Sequence, residues 1–242
     1  MSEKIRILFL SANPLPTGRI LVDVEEREIS ERLQEGPYRD KFELLKHAAI
    51  QPIDIQKLLL KHRPHIVHFC GHGHKTQKII LGGAPGRAKT VDNQGLAQIF
   101  ALYNHHLRLV VLNACFTDAL ARSIAETVDY AVGTSKGIGD KAAVAFAGAF
   151  YRALGFGKSV RSAFKSANAE LALTKTPRSR GIELFVKKGV GERDSFPCID
   201  ESRKVPRRAI RANRVLTTET RFECHITVHK TIQQTVFAQV GR

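Results

Sequence analysis

A cysteine and a histidine in this 242-residue chain each follow a short apolar run, and these two residue types together can carry out covalent catalysis. Cys115 follows the run at residues 109–112, and His72 follows the run at residues 65–70. A thiolate is a strong nucleophile, and a neutral imidazole beside it can accept the thiol proton. If the two runs are neighbouring parallel strands, their carboxyl ends lie at the same edge of the sheet. The pattern therefore predicts that His72 and Cys115 face each other as base and nucleophile.

The residues around this pair suit the same chemistry. Glycines flank His72 on both sides, which lets the backbone turn sharply and approach a substrate closely. Cys115 precedes a helix that we expect to begin near Thr117 or Asp118, and the amino end of a helix stabilises a thiolate. The backbone amides of Gly73 and Cys115 are candidates for binding the oxyanion of a tetrahedral intermediate. The alternative is that Cys115 is a small buried apolar residue without a chemical role.

Four side chains that can bind zinc alternate along the same stretch of chain: His68, Cys70, His72 and His74. Side chains at every second position of one strand spread too far to complete a tetrahedral site by themselves. The two glycines also predict that the strand turns near Gly71. We therefore expect no metal site and no cofactor.

Strand and helix patterns alternate through residue 190. Apolar runs predict strands at residues 5–10, 42–45, 65–70, 79–81, 109–112, 130–132 and 182–186. Helical spacing of apolar residues predicts helices within residues 22–33, 54–60, 96–103, 120–124, 140–154 and 160–171. Asp54 and Asp140 are the expected capping residues of two of these helices. The order is typical of an α/β fold, and we expect an open, mostly parallel sheet flanked by helices on both faces.

Basic residues outnumber acidic ones, at 38 Lys and Arg against 23 Asp and Glu, for a formal net charge of +15. Residues 191–242 hold only 10 of these basic and 6 of these acidic side chains, so the excess is spread along the chain. A dense basic run lies within residues 203–214. We interpret this run as a solvated surface or linker, and nonspecific nucleic-acid binding by the basic tail is the weaker alternative.

The composition favours one packed domain with an appendage. The chain is 43% apolar, which is enough for a core, and we expect residues 1–190 to form a single domain. Residues 191–242 are expected to be a basic linker and a small or poorly ordered segment, in which alternating apolar residues at 222–228 predict an edge strand.

Sequence features also bear on the location of the protein. No apolar run approaches the roughly 18 residues of a membrane span. Asn13-Pro14 interrupts the first apolar run early, unlike a secretory signal. Four cysteines without regular spacing are too few for a disulfide framework. We therefore expect a cytoplasmic protein with reduced thiols.

Two motifs at the strand ends resemble a known family. His68-Phe69-Cys70-Gly71-His72-Gly73, together with Asn113-Ala114-Cys115, is similar to the paired signature of the CHAT domain, a branch of the caspase-like cysteine peptidases. The resemblance covers about residues 4–190. It includes residues 7–14, the Glu-rich first helix, residues 138–143 and short motifs between Phe146 and Phe164. Each motif alone is weak, whereas their shared order and spacing are specific.

The resemblance implies a caspase-like sheet and peptide-bond hydrolysis through a thioester acyl-enzyme. Carried onto this chain, it makes Cys115 the nucleophile, His72 the base and proton donor, and the amides of Gly73 and Cys115 the oxyanion hole. CHAT proteins are typically bacterial, regulated effectors, including effectors of antiphage defence and cell death. A protein or peptide substrate and an activating partner or ligand are implied. Caspase relatives often cut themselves, and the basic linker is a candidate site.

Some positions depart from the family pattern or remain open. Cys70 stands where the family usually has Ser, which places a second thiol beside the site. Asn113 stands where relatives that cut after basic residues carry an acid, so this position does not support a Lys or Arg preference. Asn113, Asp118 and Asp140 are candidates for lining the substrate pocket, with helix capping as the alternative for the two aspartates. For Asn13, the alternatives are orientation of a loop at the sheet edge and a simple Asn-Pro turn.

A second function class also fits the sequence. A catalytically silent caspase-like fold that recruits a protein partner through its basic surface would share these motifs. His68 is expected to be a core histidine behind the site rather than a participant in catalysis.

Overall fold

The computed structural model describes residues 4–14, 20–83, 87–177 and 179–191. Within these residues the strands are β1 (Ile5–Ala12), β2 (Phe42–His47), β3 (Ile66–Gly73), β4 (Ile79–Gly82), β5 (Ala88–Thr90), β6 (Leu109–Asn113), β7 (Tyr130–Thr134) and β8 (Ile182–Val186). The helices are α1 (Val22–Gln34), α2 (Pro52–His62), α3 (Asn93–Ala101), α4 (Asp118–Ile124), α5 (Asp140–Gly155) and α6 (Val160–Leu173), and a short 3-10 helix spans Arg39–Lys41. The strands and helices expected between residues 5 and 186 are present, with differences at several element ends.

The strands form one sheet in the order β2-β1-β3-β6-β7-β8. β1 pairs in parallel with β2 and β3, and β6 pairs in parallel with β3 and β7. β8 is antiparallel to β7, and the short strands β4 and β5 continue from β3 as antiparallel neighbours. The expectation of a mostly parallel sheet is confirmed. The carboxyl ends of β1, β3, β6 and β7 therefore lie at the same edge.

Two apolar clusters hold the helices against the two faces of the sheet. One cluster contains Phe9 of β1 and Phe150 of α5, and it also includes residues of α1 and α6. The other contains Leu8 of β1 and Leu59 of α2, and it also includes residues of α3 and α4. Because successive strand side chains point to opposite faces, neighbouring residues of β1 enter different clusters. Helices on both faces are thus confirmed.

Two helix starts differ from the expected ones. Helix α2 begins at Pro52, whose fixed φ suits the first helical position, and Gln51 occupies the cap position. Asp54 lies within the first turn, where its carboxylate accepts a hydrogen bond from the Gln51 amide at 2.9 Å. In α5 the cap position is Gly139, and Asp140 is the first helical residue. The expectation that Asp54 and Asp140 are cap residues is therefore wrong, because both lie within the first helical turn. Their negative charges still stabilise the amino ends of the helices.

Strand β3 continues further than the sequence predicts. The glycines predict a turn near Gly71, whereas the strand extends through His72 and Gly73. Antiparallel pairing with β4 keeps this end extended, because His72 lies opposite Ile80 and Gly73 opposite Ile79. The expectation of an early turn is wrong because it leaves this additional strand pairing out.

Two further expectations concern the C-terminal segment and membrane-spanning helices. The edge strand expected at residues 222–228, and with it almost all of the C-terminal segment, lies outside them. No helix among the described residues has both the length and the apolar character needed to cross a membrane.

Candidate functional site

His72 and Cys115 line the same cavity at the carboxyl edge of the sheet. Strands β3 and β6 are parallel neighbours, and their register places Cys70 level with Asn113. His72 and Cys115 each lie two residues further along, so the backbone brings them to the same height. The cavity has a volume of about 180 Å³. Its apolar walls come from Ile20, Leu21, Ile138, Ala143 and Val144.

Gly73 lies directly against the backbone of Cys115. A Cβ atom at Gly73 would lie 1.6 Å from the carbonyl oxygen and 3.0 Å from the amide nitrogen of Cys115. A side chain at this position is therefore sterically impossible without movement of the backbone, which explains the need for glycine. Both residues line the cavity, so two backbone segments meet beside the Cys115 thiol.

Buried threonines hold the turn that carries Cys115. Thr117 Oγ1 donates to the carbonyl oxygen of Ala114 at 3.0 Å and accepts from the amide of Thr134 at 3.1 Å. Thr134 Oγ1 donates to the same carbonyl oxygen at 2.6 Å. Thr117 and Thr134 are 0% and 2% exposed, so water does not compete for these bonds. Sequence reasoning missed the hydrogen-bonding role of both residues, and the available signal was a Thr near the end of each of two apolar runs.

The backbone bends sharply at the residue after Cys115. Phe116 has a φ of 57°, in the left-handed region, where a residue other than glycine costs about 1–2 kcal/mol. This turn separates β6 from α4 and leaves the Cys115 side chain partly exposed. The Cys115 thiol lies 3.7 Å from the carbonyl oxygen of Ile138. Strained backbone of this kind is often found at functional sites.

His72 has a side-chain partner from the neighbouring strand. Asn13, directly after β1, places its Oδ1 atom 3.3 Å from His72 Nε2. Neither side chain is fully buried, and His72 lines the cavity. The site thus combines residues that follow or end three adjacent strands, β1, β3 and β6.

Behind the cavity, Glu25 of α1 is buried in a hydrogen-bond network. Its carboxylate lies 2.6 Å from His68 Nε2 and accepts a bond from the Cys70 thiol at 3.4 Å. His68 Nδ1 lies 3.1 Å from the hydroxyl of Tyr151 in α5. Glu25 and His68 are 2% and 0% exposed. The network ties α1, β3 and α5 together, and His68 is a fully bonded core histidine, as expected.

Sequence reasoning missed the role of Glu25, although its position carries a signal. Val22, Glu25, Ile29 and Leu33 recur at spacings of three and four residues, which places the glutamate within the apolar face of α1. A carboxylate on such a face must find buried donors, because an unpaired buried charge is very costly.

The second thiol at the cavity is chemically unlike Cys115. Burial, followed by the negative charge of Glu25, raises the pKa of the Cys70 thiol well above its ordinary value. A thiol with a raised pKa stays protonated and is a poor nucleophile. Burial and then the same carboxylate also raise the pKa of Tyr151. Cys70 and Tyr151 therefore act as hydrogen-bonding groups of the core.

The three expected pocket residues have different surroundings. Asn113 lines the cavity and is 6% exposed, and its Nδ2 donates to the carbonyl oxygen of Ala143 at 3.1 Å. Asp140 also lines the cavity and is exposed. Asp118 begins α4 and is not among the residues that line the cavity.

The three alternating histidines and Cys70 take part in three different groups of hydrogen bonds. His68 and Cys70 contact Glu25, His72 contacts Asn13, and His74 Nδ1 lies 2.8 Å from the Thr76 hydroxyl. In the described part of the chain, no group of three or more His, Cys, Asp or Glu side chains is arranged to hold a metal ion.

A mostly parallel sheet with a histidine and a cysteine at adjacent central strand ends is the arrangement of caspase-like domains. The family model described as "CHAT domain" matches residues 21–207, which is most of the chain. The chain therefore belongs to the CHAT domain family of caspase-like cysteine peptidases.

Two relatives carry protease names. The chain is 27% identical over 181 residues to a "Roc-COR-CHAT protease" from an unknown prokaryotic organism, a match that covers 71% of this chain and 17% of the relative. It is 24% identical over 150 residues to a "Probable protease" of Gillisia limnaea (strain DSM 15749 / LMG 21470 / R-8282), covering 61% of this chain and 26% of the relative. The chain thus spans only a small part of the length of these curated relatives.

Two solved structures were compared with this chain. The Arg-specific cysteine proteinase gingipain R has a TM-score of 0.54 at 10% identity, with 75% of this chain and 46% of that chain covered. The Drosophila initiator caspase Dronc has a TM-score of 0.49 at 10% identity, with 77% and 84% covered. At this identity, the similarity to gingipain R shows a shared fold.

Proposed function

We propose that the chain is a cysteine endopeptidase in which His72 and Cys115 form the catalytic dyad. The observation that carries the proposal is that both side chains line one cavity at the ends of adjacent parallel strands. The protease-named relatives support the class of reaction. The other cavity thiol, Cys70, is bonded to a buried carboxylate, which favours Cys115 as the nucleophile.

In the proposed reaction, His72 accepts the proton of the Cys115 thiol, and the sulfur attacks the carbonyl carbon of the scissile peptide bond. The tetrahedral intermediate collapses when His72 donates that proton to the leaving amine, which leaves a thioester on Cys115. Water, with its proton taken by His72, then attacks the thioester and releases the carboxylate product. No cofactor is needed for these steps.

The oxyanion of the intermediate needs donors close to the attacked carbon. The amides of Gly73 and Cys115 are proposed for this role because the two backbone segments are in van der Waals contact beside the thiol. Backbone donors that are fixed before the substrate binds stabilise developing charge without reorganisation. The close contact at Gly73 supplies this rigidity.

Labelling with a thiol-reactive peptide probe, read by mass spectrometry, tests the dyad. Labelling at Cys115 is expected in the wild type, lost in Cys115→Ala, and slowed by about 100-fold or more in His72→Ala. Cys70→Ser is the matched control, because a serine hydroxyl can still donate to Glu25, and it should label like the wild type. Labelling that persists in Cys115→Ala would overturn the proposal. A folded wild type that no probe labels under any activating condition would favour the silent interaction module.

The wider biological role is proposed from the family alone. We propose a regulated effector that cuts a protein substrate in response to a partner or ligand, with defence or cell death as the setting. In this proposal residues 1–190 act as the peptidase domain and residues 191–242 as an appended basic segment. Self-cleavage in that segment is tested by the mass of the chain after activation, and a stable full-length product would count against it.

A further inference from the structure

Asn13 and Cys115 approach His72 from opposite sides. The central strand order is β1-β3-β6, so the strand that ends before Asn13 and the strand that ends before Cys115 flank the strand of His72. The β1–β3 register places Ala12 opposite Gly71, and Asn13 and His72 are the next residues on each strand. The contact between Asn13 Oδ1 and His72 Nε2, at 3.3 Å, follows from this register. The strand order therefore places Asn13 and Cys115 after the two strands that flank the strand of His72.

The chemistry of this contact determines which imidazole nitrogen carries a hydrogen. An amide oxygen only accepts hydrogen bonds, so Nε2 must be the donor in the contact with Asn13. A neutral imidazole with its hydrogen on Nε2 has its lone pair on Nδ1, and Nδ1 is then the nitrogen that can accept a proton. The bond to Asn13 becomes stronger when the ring is charged, because hydrogen bonds from an ionised donor are stronger than neutral ones.

We propose that Asn13 is a positioning residue that holds His72 in the Nε2–H form and supports the imidazolium. This inference rests on the proposed function, since it assigns a partner to the base of the proposed dyad. When the S–H bond of Cys115 breaks, a new N–H bond forms at Nδ1. The hydrogen on Nε2 stays on that nitrogen and keeps its hydrogen bond to the Asn13 oxygen. The Nδ1 proton later passes to the leaving amine. The simple Asn-Pro turn would require no contact with the imidazole.

The test measures the rate at which iodoacetamide alkylates Cys115, from pH 4 to pH 10, with peptide mass spectrometry as the readout. This readout requires neither a known substrate nor an activating partner. Asn13→Leu removes the acceptor, whereas Asn13→Asp keeps an acceptor and adds a negative charge. Thr76→Val is the matched control, because it removes a similar side-chain bond to the neighbouring His74. The titratable groups that line the cavity with His72 remain unchanged in these variants: Glu25 of α1, Cys70 of β3, Cys115 after β6 and Asp140 of α5.

The wild type is expected to react at a pH where an isolated thiol does not, because the imidazolium stabilises the thiolate. Asn13→Leu should lower this rate about 10- to 100-fold, which is the value of a charge-assisted hydrogen bond. Asn13→Asp should retain the reactivity, because a carboxylate oxygen can still accept the hydrogen bond from Nε2 and stabilise the imidazolium. Thr76→Val should match the wild type.

The outcomes separate this inference from the proposed function. If His72→Ala changes the pH profile while Asn13→Leu reproduces the wild-type profile, the dyad stands and the role of Asn13 is refuted. If the wild type already shows the pH profile of an isolated thiol, and neither His72→Ala nor Asn13→Leu changes it, the proposed dyad itself is refuted. A loss of reactivity in Asn13→Asp as large as that in Asn13→Leu would also overturn the inference. Circular dichroism and melting temperature establish that each variant is folded.

Discussion

Replacement of Gly73 by alanine tests whether the contact between β3 and the Cys115 turn sets the geometry of the site. The new methyl carbon would lie 1.6 Å from the Cys115 carbonyl oxygen, whereas real contacts of this kind stay above 3.0 Å. The two backbone segments must therefore separate by about 1.4 Å. Extra bulk in a packed site typically lowers the free energy of unfolding by about 1–3 kcal/mol. A displacement of about 1 Å at a reaction centre can reduce the rate about 100-fold.

We expect Gly73→Ala to remain folded and to lose about 100-fold in the rate of Cys115 labelling by the peptide probe. Urea denaturation measures the free energy of unfolding of the same preparation. Gly95→Ala is the matched control, because a methyl group there meets nothing closer than 3.5 Å, at the Asp92 carboxylate. Gly95 lies in α3, so its replacement should raise stability by about 0.5–1 kcal/mol and leave labelling unchanged.

Two results would refute the reasoning about Gly73. Wild-type labelling and wild-type stability in Gly73→Ala would mean that the segments are not in contact in solution. A large loss of stability together with unchanged labelling would mean that the contact supports the fold without setting the site.

Three other changes have defined outcomes. Thr134→Val removes a buried donor to the Ala114 carbonyl, and urea denaturation should show a loss of about 1–3 kcal/mol; an unchanged midpoint would contradict this role. Glu25→Leu leaves His68 buried without its acceptor and should cost about 1–3 kcal/mol by the same measurement, so an unchanged free energy of unfolding would show that the network contributes little. Burial lowers the pKa of His106 to about 4 from 6.5, so the unfolded chain binds more protons between these values and stability falls as the pH decreases from 6.5 toward 4. His106→Phe should weaken that dependence in unfolding experiments at pH 7.5 and pH 5, and an identical dependence in both proteins would refute the assignment.

The elements of the fold are largely predictable from local sequence. The strand that contains His72 and the strand that precedes Cys115 are both predicted from largely apolar runs, as expected for strands covered by helices on both faces. Helix α1 follows from its apolar spacing, and Asp140 identifies the beginning of α5 within one residue. These signals are local, because side-chain burial has a period of two in strands and 3.6 in helices.

The site is only partly predictable from the same sequence. The motifs identify His72 and Cys115, since His72 lies at the end of β3 and Cys115 follows β6 at the same sheet edge. The partner of His72 is harder to identify, because Asn13 lies 59 positions away and contacts it only through the β1–β3 register. The prediction that β3 ends near Gly71 was wrong. Pairing with β4 keeps the backbone extended through Gly73, and this pairing is not visible in the local sequence.

Local patterns in the chain predict the succession of strands and helices, the two reactive side chains and the family motifs that surround them. The burial of Glu25 against His68 and Cys70, and the contact between Gly73 and the Cys115 carbonyl, emerge only when the chain is folded. Secondary structure depends on neighbours within a few residues, whereas burial and hydrogen-bond partners depend on which strands lie side by side. That adjacency makes Cys70 a buried, protonated thiol and leaves Cys115 at the cavity.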